Sequence, residues 1–279
     1  MTRLIVGPFN RVEGDLEVKL DLDGDVVAEA RVVSPLYRGF EQILQGKDPS
    51  DALVYAPRIC GICSVSQSAA SASALAQAQG ISAIPPNGVL SRNLILATEN
   101  VADHLTHFYL FFMPDFARDI YAGMPWHANI AERFRALKGI ALQEMLPARA
   151  QFMHILGLMA GKWPHTLTLQ PGGSTKSIEA QEKARLAALL HTFRTFLERT
   201  LYGDTLESVV AINTLEALNA WRDKPGPANA DLGRFLNISE SLELHNLGRA
   251  AERFMSFGAY ASGDGHFLAP GVYESNTVR

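Results

Sequence analysis

A mainly helical fold with a small antiparallel β element at the amino end is what this 279-residue sequence predicts. Three observations carry that expectation. Strict apolar alternation is confined to residues 1–35, apolar residues recur at helical spacing beyond Pro35, and Gly46, Gly80 and Pro114 stand where helical stretches end.

In "DLEVKLDLDGDVVAEARVV" (15–33), Leu16, Val18, Leu20 and Leu22 share one face. A turn at Asp23-Gly24 leads to Val26, Ala28, Ala30 and Val32, so the segment predicts a hairpin. "YRGFEQILQG" predicts a short helix stopped by Gly46, and "DPSDALVYA" offers a cap at Asp48 or Ser50. "SVSQSAASASALAQAQG" (64–80) is a helix of small residues, expected to be closely packed on all sides. "NLILATENVADHLTHFYLFFM" (93–113) is amphipathic and should end at Pro114. Further helices are expected near 128–138, 143–160, 176–202, 205–222 and 240–257, with loops at 161–175 and 223–229. Residues 1–279 are read as one domain, with a β hairpin over 1–35 and mostly helix over 36–279.

The formal charge of −4, without a Lys/Arg-dense run, excludes a nucleic-acid footprint. The most apolar stretch, "LTHFYLFFMPDF" (105–116), is too short to span a bilayer and contains His107. The start of the chain lacks the apolar core of a secretory signal. Two closely spaced cysteines make no disulfide framework, so a reducing, cytoplasmic setting is expected. Transport across a membrane together with a partner would make the protein periplasmic or membrane-associated instead.

Both cysteines lie in "APRICGICSVSQSAAS" (56–71), at Cys60 and Cys63. Three chemistries suit them. One is a redox dithiol activated by a helix start and by Arg58. A second is a zinc site completed by His104 and His107, although a His-x-x-His pair on a helix is one position tighter than the spacing that suits one ion. The third is a soft-metal site with further ligands elsewhere.

The surrounding strings favour the third. "RVEGDLEV" (11–18), "LYRGFEQILQGKDPSDA" (36–52), the Arg-x-Cys-Gly-x-Cys of 58–63, "HLTHFY" (104–109) and "GKWPHTLTLQPGGST" (161–175) occur in the order seen in one family. The chain resembles the amino-terminal half of the large subunit of nickel–iron hydrogenases. The resemblance implies that Cys60 is a terminal nickel ligand and that Cys63 bridges nickel and iron, the iron carrying carbon monoxide and cyanide. It further implies that Glu13 relays the proton released from dihydrogen, that Glu41 ligates magnesium, and that Arg58 and Arg38 are buried cations near the cofactor. His104 and His107 are assigned to packing near a small-subunit contact, and His165 to a functional or structural hydrogen bond.

Two departures bear on the subgroup. Gln67 stands four positions after Cys63, where most catalytic members have His, and Gly14-Asp15 replaces Gly-His. "CGICSVSQ" is similar to the hydrogen-sensing, regulatory hydrogenases, which pass a signal to a histidine kinase. Ile62 and Phe111 are the bulky residues expected to narrow gas access. The family's second cysteine pair, after Asp-Pro, has no counterpart, since no cysteine follows Cys63. The expectation is therefore an amino-terminal fragment, inactive alone, of a hydrogenase large subunit. It would act as a hydrogen sensor or, alternatively, as an energy-conserving uptake enzyme. Iron–sulfur clusters would sit only in the partner small subunit, because this chain has no spare cysteines. A cytosolic Cys-x-x-Cys dithiol oxidoreductase is the remaining alternative.

Overall fold

The computed structural model describes residues 2–9, 15–248, 251–263 and 265–274. The chain forms two compact units, Met1–Asp51 and Ala52–Arg279.

In the first unit, β1 (Thr2–Val6), β2 (Glu17–Asp23) and β3 (Val26–Val33) form an antiparallel sheet in that order. The expected hairpin is present, with Val18 opposite Val32 and Leu20 opposite Ala30. Its two-residue turn works because Gly24 takes φ +61°, which costs a glycine nothing. The short helix α1 (Phe40–Leu44) follows, and Gly46 lies beyond it at φ +71°. Asp48 caps the next turn, its Oδ1 accepting the Ser50 N–H at 2.9 Å.

The second unit is helical from α2 (Ala52–Tyr55) and α3 (Ser64–Ala78) to α4 (Pro86–Thr106), α5 (Met113–Phe116), α6 (His127–Phe134) and α7 (Ala141–Ala160). A two-residue ribbon, β4 (Leu169–Gln170) with β5 (Gly173–Ser174), precedes α8 (Ala180–Phe196), α9 (Leu206–Val210), α10 (Leu215–Arg222), α11 (Pro225–Asn229) and α12 (Asp231–Ser241). The core lies where α7 packs between α4 and α8. Ile95 and Leu105 of α4 meet Met145, Ile155 and Leu156 of α7 there, and the Phe152 and Phe193 rings stack at 3.9 Å. No described helix is long and apolar enough to cross a membrane.

Four expectations are corrected. Pro114 does not end its helix: α4 passes into a π-helical turn at His107–Phe112, and α5 then starts with Pro114 in its first turn, where the missing N–H has no bond to lose. The 223–229 loop contains a helical turn, α11, with Pro225 in the same favourable position. The helix expected over 240–257 is absent. After α12 the chain forms β6 (Arg253–Ser256), β7 (Ala259–Ser262), β8 (Gly265–Leu268) and β9 (Gly271–Glu274), pairing β6 with β9 and β7 with β8. Gly258 and Gly263, both at positive φ, interrupt this stretch and favour ribbons there over a helix. Finally, α3 is not packed on all sides. Ser64, Val65, Ser68, Ala72, Leu75 and Ala76 are buried, but Ser73 and Ala74 border a cavity of about 830 Å³ shared with α4 and the β7–β8 ribbon.

Candidate metal centre

The Cys60-Gly61-Ile62-Cys63 segment is a turn between a 3₁₀ turn at Ala56–Arg58 and the start of α3. Cys63 is the N-cap of α3, and the Cys63 N–H donates to Cys60 Sγ at 3.3 Å. The Cα atoms are 5.5 Å apart and the sulfurs are joined as a disulfide. Gln67 lies one helical turn on and donates its amide to Cys63 Sγ at 3.8 Å. Both cysteines are half-buried.

A cysteine makes a poor N-cap, because a helix start needs an oxygen acceptor for its free N–H groups. Glu99 of α4 supplies one from across the fold. Its Oε2 accepts the Val65 N–H at 2.9 Å and its Oε1 the Ser66 N–H at 3.0 Å. Trp163 Nε1 adds a donation at 2.8 Å and Ser64 Oγ one at 3.3 Å. Glu99 is only 2% exposed. Among the described residues its hydrogen-bond partners are all neutral.

The loop after α7 braces the same turn on both sides. The His165 N–H donates to Ser64 Oγ at 3.2 Å, just after Cys63. His165 Nδ1 donates to the Pro57 carbonyl at 3.0 Å, just before Cys60. A carbonyl only accepts, so Nδ1 carries the proton. His165 sits at φ +64°, a conformation held here by both bonds. The Arg149 guanidinium lies 5.8 Å from the centre of the Trp163 ring, supporting the indole that reaches Glu99.

Sequence reasoning missed Glu99, although its signal was present. The buried stripe of α4 runs Ser91, Ile95, Thr98, Glu99, Ala102, Leu105, and a carboxylate within such a stripe requires partners. Other expected residues fall elsewhere. Arg58 is not a buried cation: it is exposed and its guanidinium turns back to the Val54 carbonyl, one helical turn earlier, where water still solvates the charge. Arg38 is likewise exposed, its guanidinium 4.8 Å from the centre of the Phe40 ring. Glu41 is exposed in the first turn of α1, within the first unit. Glu13 lies outside the described residues. His104 and His107 are exposed, and the His107 ring stacks on Phe112 at 5.8 Å. Ile62 and Phe111 are 55% and 41% exposed, so in this chain each borders solvent, not an enclosed passage. Among the described residues no group of three or more His, Cys, Asp and Glu side chains converges on one point. The Cys₂His₂ zinc set therefore does not form among them.

The donor chemistry fits a soft transition metal in part. Once reduced, the two adjacent cysteines, beside a buried carboxylate whose hydrogen-bond partners are neutral, suit a thiolate-bound cation, but they offer half of the four thiolates the resemblance implies.

Residues 38–132 match the family described as nickel-dependent hydrogenase. The chain is 29% identical over 209 residues to the periplasmic [NiFeSe] hydrogenase large subunit of Desulfomicrobium baculatum, covering 70% of this chain and 40% of that protein. It is 39% identical over 125 residues to the Escherichia coli hydrogenase-1 large chain, covering 44% of this chain and 19% of that one. In structure it matches the Ni-Fe-Se hydrogenase of D. vulgaris Hildenborough with a TM-score of 0.71 and 26% identity, over 98% of this chain and 52% of that chain. The chain thus spans about half or less of the length of these relatives. In sequence over residues 38–132, and in fold over nearly all its length, it is related to the large subunits of nickel-dependent hydrogenases.

Proposed function

We propose that this chain contributes Cys60 and Cys63 to the nickel–iron centre of a hydrogenase large subunit. The observation that carries the reading is the pair of sulfurs side by side at the start of α3, on a turn whose helix end is capped by a buried carboxylate. When bound, the centre would supply heterolytic splitting of dihydrogen, its iron bearing carbon monoxide and cyanide. Cys60 would hold nickel and take up the proton, and Cys63 would bridge nickel and iron. Glu13 would carry the proton onward, Glu41 would hold magnesium, and a small iron–sulfur subunit would take the electrons. Arg58 would face the cofactor region only after leaving the Val54 carbonyl.

Within this reading we favour a hydrogen sensor that signals to a histidine kinase. Gln67 supports it: an amide on Cys63 Sγ donates a hydrogen bond but does not titrate as an imidazole does. Ile62 and Phe111 would narrow gas entry once covered by a partner. An energy-conserving uptake hydrogenase is the alternative. A cytoplasmic setting belongs to the same proposal, the Desulfomicrobium relative being named as periplasmic.

The test is nickel and iron content in the complete heterodimer of large and small subunits. Wild type should hold both metals, and Cys60→Ser or Cys63→Ser should lose nickel; wild type without nickel overturns the reading. Fast hydrogen uptake with no kinase response would remove the sensor role. The disulfide favours one second reading, a dithiol oxidoreductase. A thiol titration that finds no Cys60–Cys63 disulfide under mild oxidant removes it.

A further inference from the structure

We propose that Glu99 is the positioning residue of the Cys60–Cys63 turn, and that its carboxylate makes the start of α3 a seat for a bound cation. The proposal rests on the metal-site reading above and deepens it.

The argument begins with the helix end. N–H groups at a helix start carry partial positive charge, which ordinarily serves an N-cap oxygen or a bound anion. Here Glu99 takes up the N–H groups of Val65 and Ser66, and Cys63 itself makes no capping bond. The helix end is therefore already neutralised from behind. It offers the sulfurs little of the anion-stabilising field that a redox dithiol at a helix start draws on. A carboxylate buried among neutral donors adds negative potential beside the sulfurs, which favours a cation bound between them.

The donor geometry also requires this side chain. Every contact to Glu99 is an N–H or O–H aimed at one of its two oxygens. A glutamine would have to turn its NH₂ toward at least one of those donors, leaving an N–H unmet in a buried site. Aspartate keeps both acceptors on a shorter stem. The same oxygens set the turn through two routes: directly at Val65 and Ser66, and through Ser64 Oγ to His165, which reaches back to Pro57.

The test uses the complete heterodimer of large and small subunits and compares Glu99→Gln, Glu99→Asp, Trp163→Phe and the control Thr98→Val. The control removes a different buried polar group from α4. Three readouts are taken: nickel per complex, the infrared bands of the iron-bound ligands, and hydrogen exchange at the amides of Val65 and Ser66. Glu99→Gln should lower nickel retention under chelator challenge by about 10–100-fold, the usual effect of removing an outer partner of a metal site. It should also shift the infrared bands and speed exchange at the two amides by about tenfold. Glu99→Asp should restore part of each, Trp163→Phe should fall between, and Thr98→Val should match wild type in all three.

Equal nickel and identical bands in wild type and Glu99→Gln overturn the proposal while leaving the metal-site reading intact. Wild type without nickel sinks the metal-site reading instead. If Glu99→Gln does not fold, Trp163→Phe decides, and wild-type behaviour there in all three readouts overturns the proposal.

Discussion

Among the described residues, two carboxylates lie buried in the helical unit, and they are held in opposite ways. Asp231, at the start of α12, is fully buried and surrounded by charge. Arg133 grips both of its oxygens, Arg234 reaches it at 3.1 Å, and the buried Tyr109 hydroxyl donates to it at 2.7 Å. Arg133 also bridges to Glu144 at 2.8 Å, so α6, α7, α12 and the π turn after α4 meet at one ionic knot. Glu99 has only neutral donors and a helix end. A buried charge neutralised by cations has nothing left to attract and works as a clamp. A buried charge satisfied only by dipoles keeps a field, which the proposal above directs at the two sulfurs. The difference separates a structural acid from one that serves a site.

The largest effect expected from breaking this contrast is at the clamp. Asp231→Ala should lower stability by about 3–5 kcal/mol, because Arg133 and Arg234 lose their shared counter-charge in a buried place. Urea unfolding measures it, and a loss under about 1 kcal/mol would mean that water already screens the knot. Glu99→Gln should cost less, about 1–3 kcal/mol, for one unmet buried donor. A result equal to Asp231→Ala would erase the distinction between the two acids.

Tyr109→Phe should cost about 1 kcal/mol, the net worth of one hydrogen bond. Burial first, then the Asp231 charge, hold the Tyr109 phenol well above its ordinary value, so it stays a donor throughout the working range. A double-mutant cycle with Asp231→Ala should show coupling, and simple additivity would place Tyr109 outside the knot.

The smallest effect is at Glu182 of α8, a solvent-reached acid that gives the baseline for both. It accepts the Glu179 N–H at 3.0 Å and pairs with Lys176 at 2.7 Å. The Glu179 N–H first, then Lys176, hold its carboxyl below the ordinary 4.5. A carboxyl depressed in the folded state stabilises above its unfolded value and stops doing so as pH falls through the folded one. The protection factor against hydrogen exchange in the first turn of α8 should therefore fall below pH 4.5 and stay level above it.

What could be read from the sequence was whatever depended on near neighbours. The hairpin of 15–33 followed from alternation and a glycine turn. Glu99 was hidden because the amide it caps lies 34 positions earlier in the chain. Arg58 was misplaced for a related reason, since an exposed arginine and a buried one look alike until the fold assigns them surroundings. The ribbons of 253–274 were read as helix at their start because Phe254, Met255 and Phe257 fit either period, and the positive φ of Gly258 decides for the strand.

The π turn at His107–Phe112 is in effect an insertion that the helix has absorbed. Each residue advances a helix by about 100°, so removing one residue here would re-phase everything downstream. Met113 and Phe116, now inside, would swing toward solvent. The wide turn is what keeps Leu105 before it and Met113 and Phe116 after it in the same core.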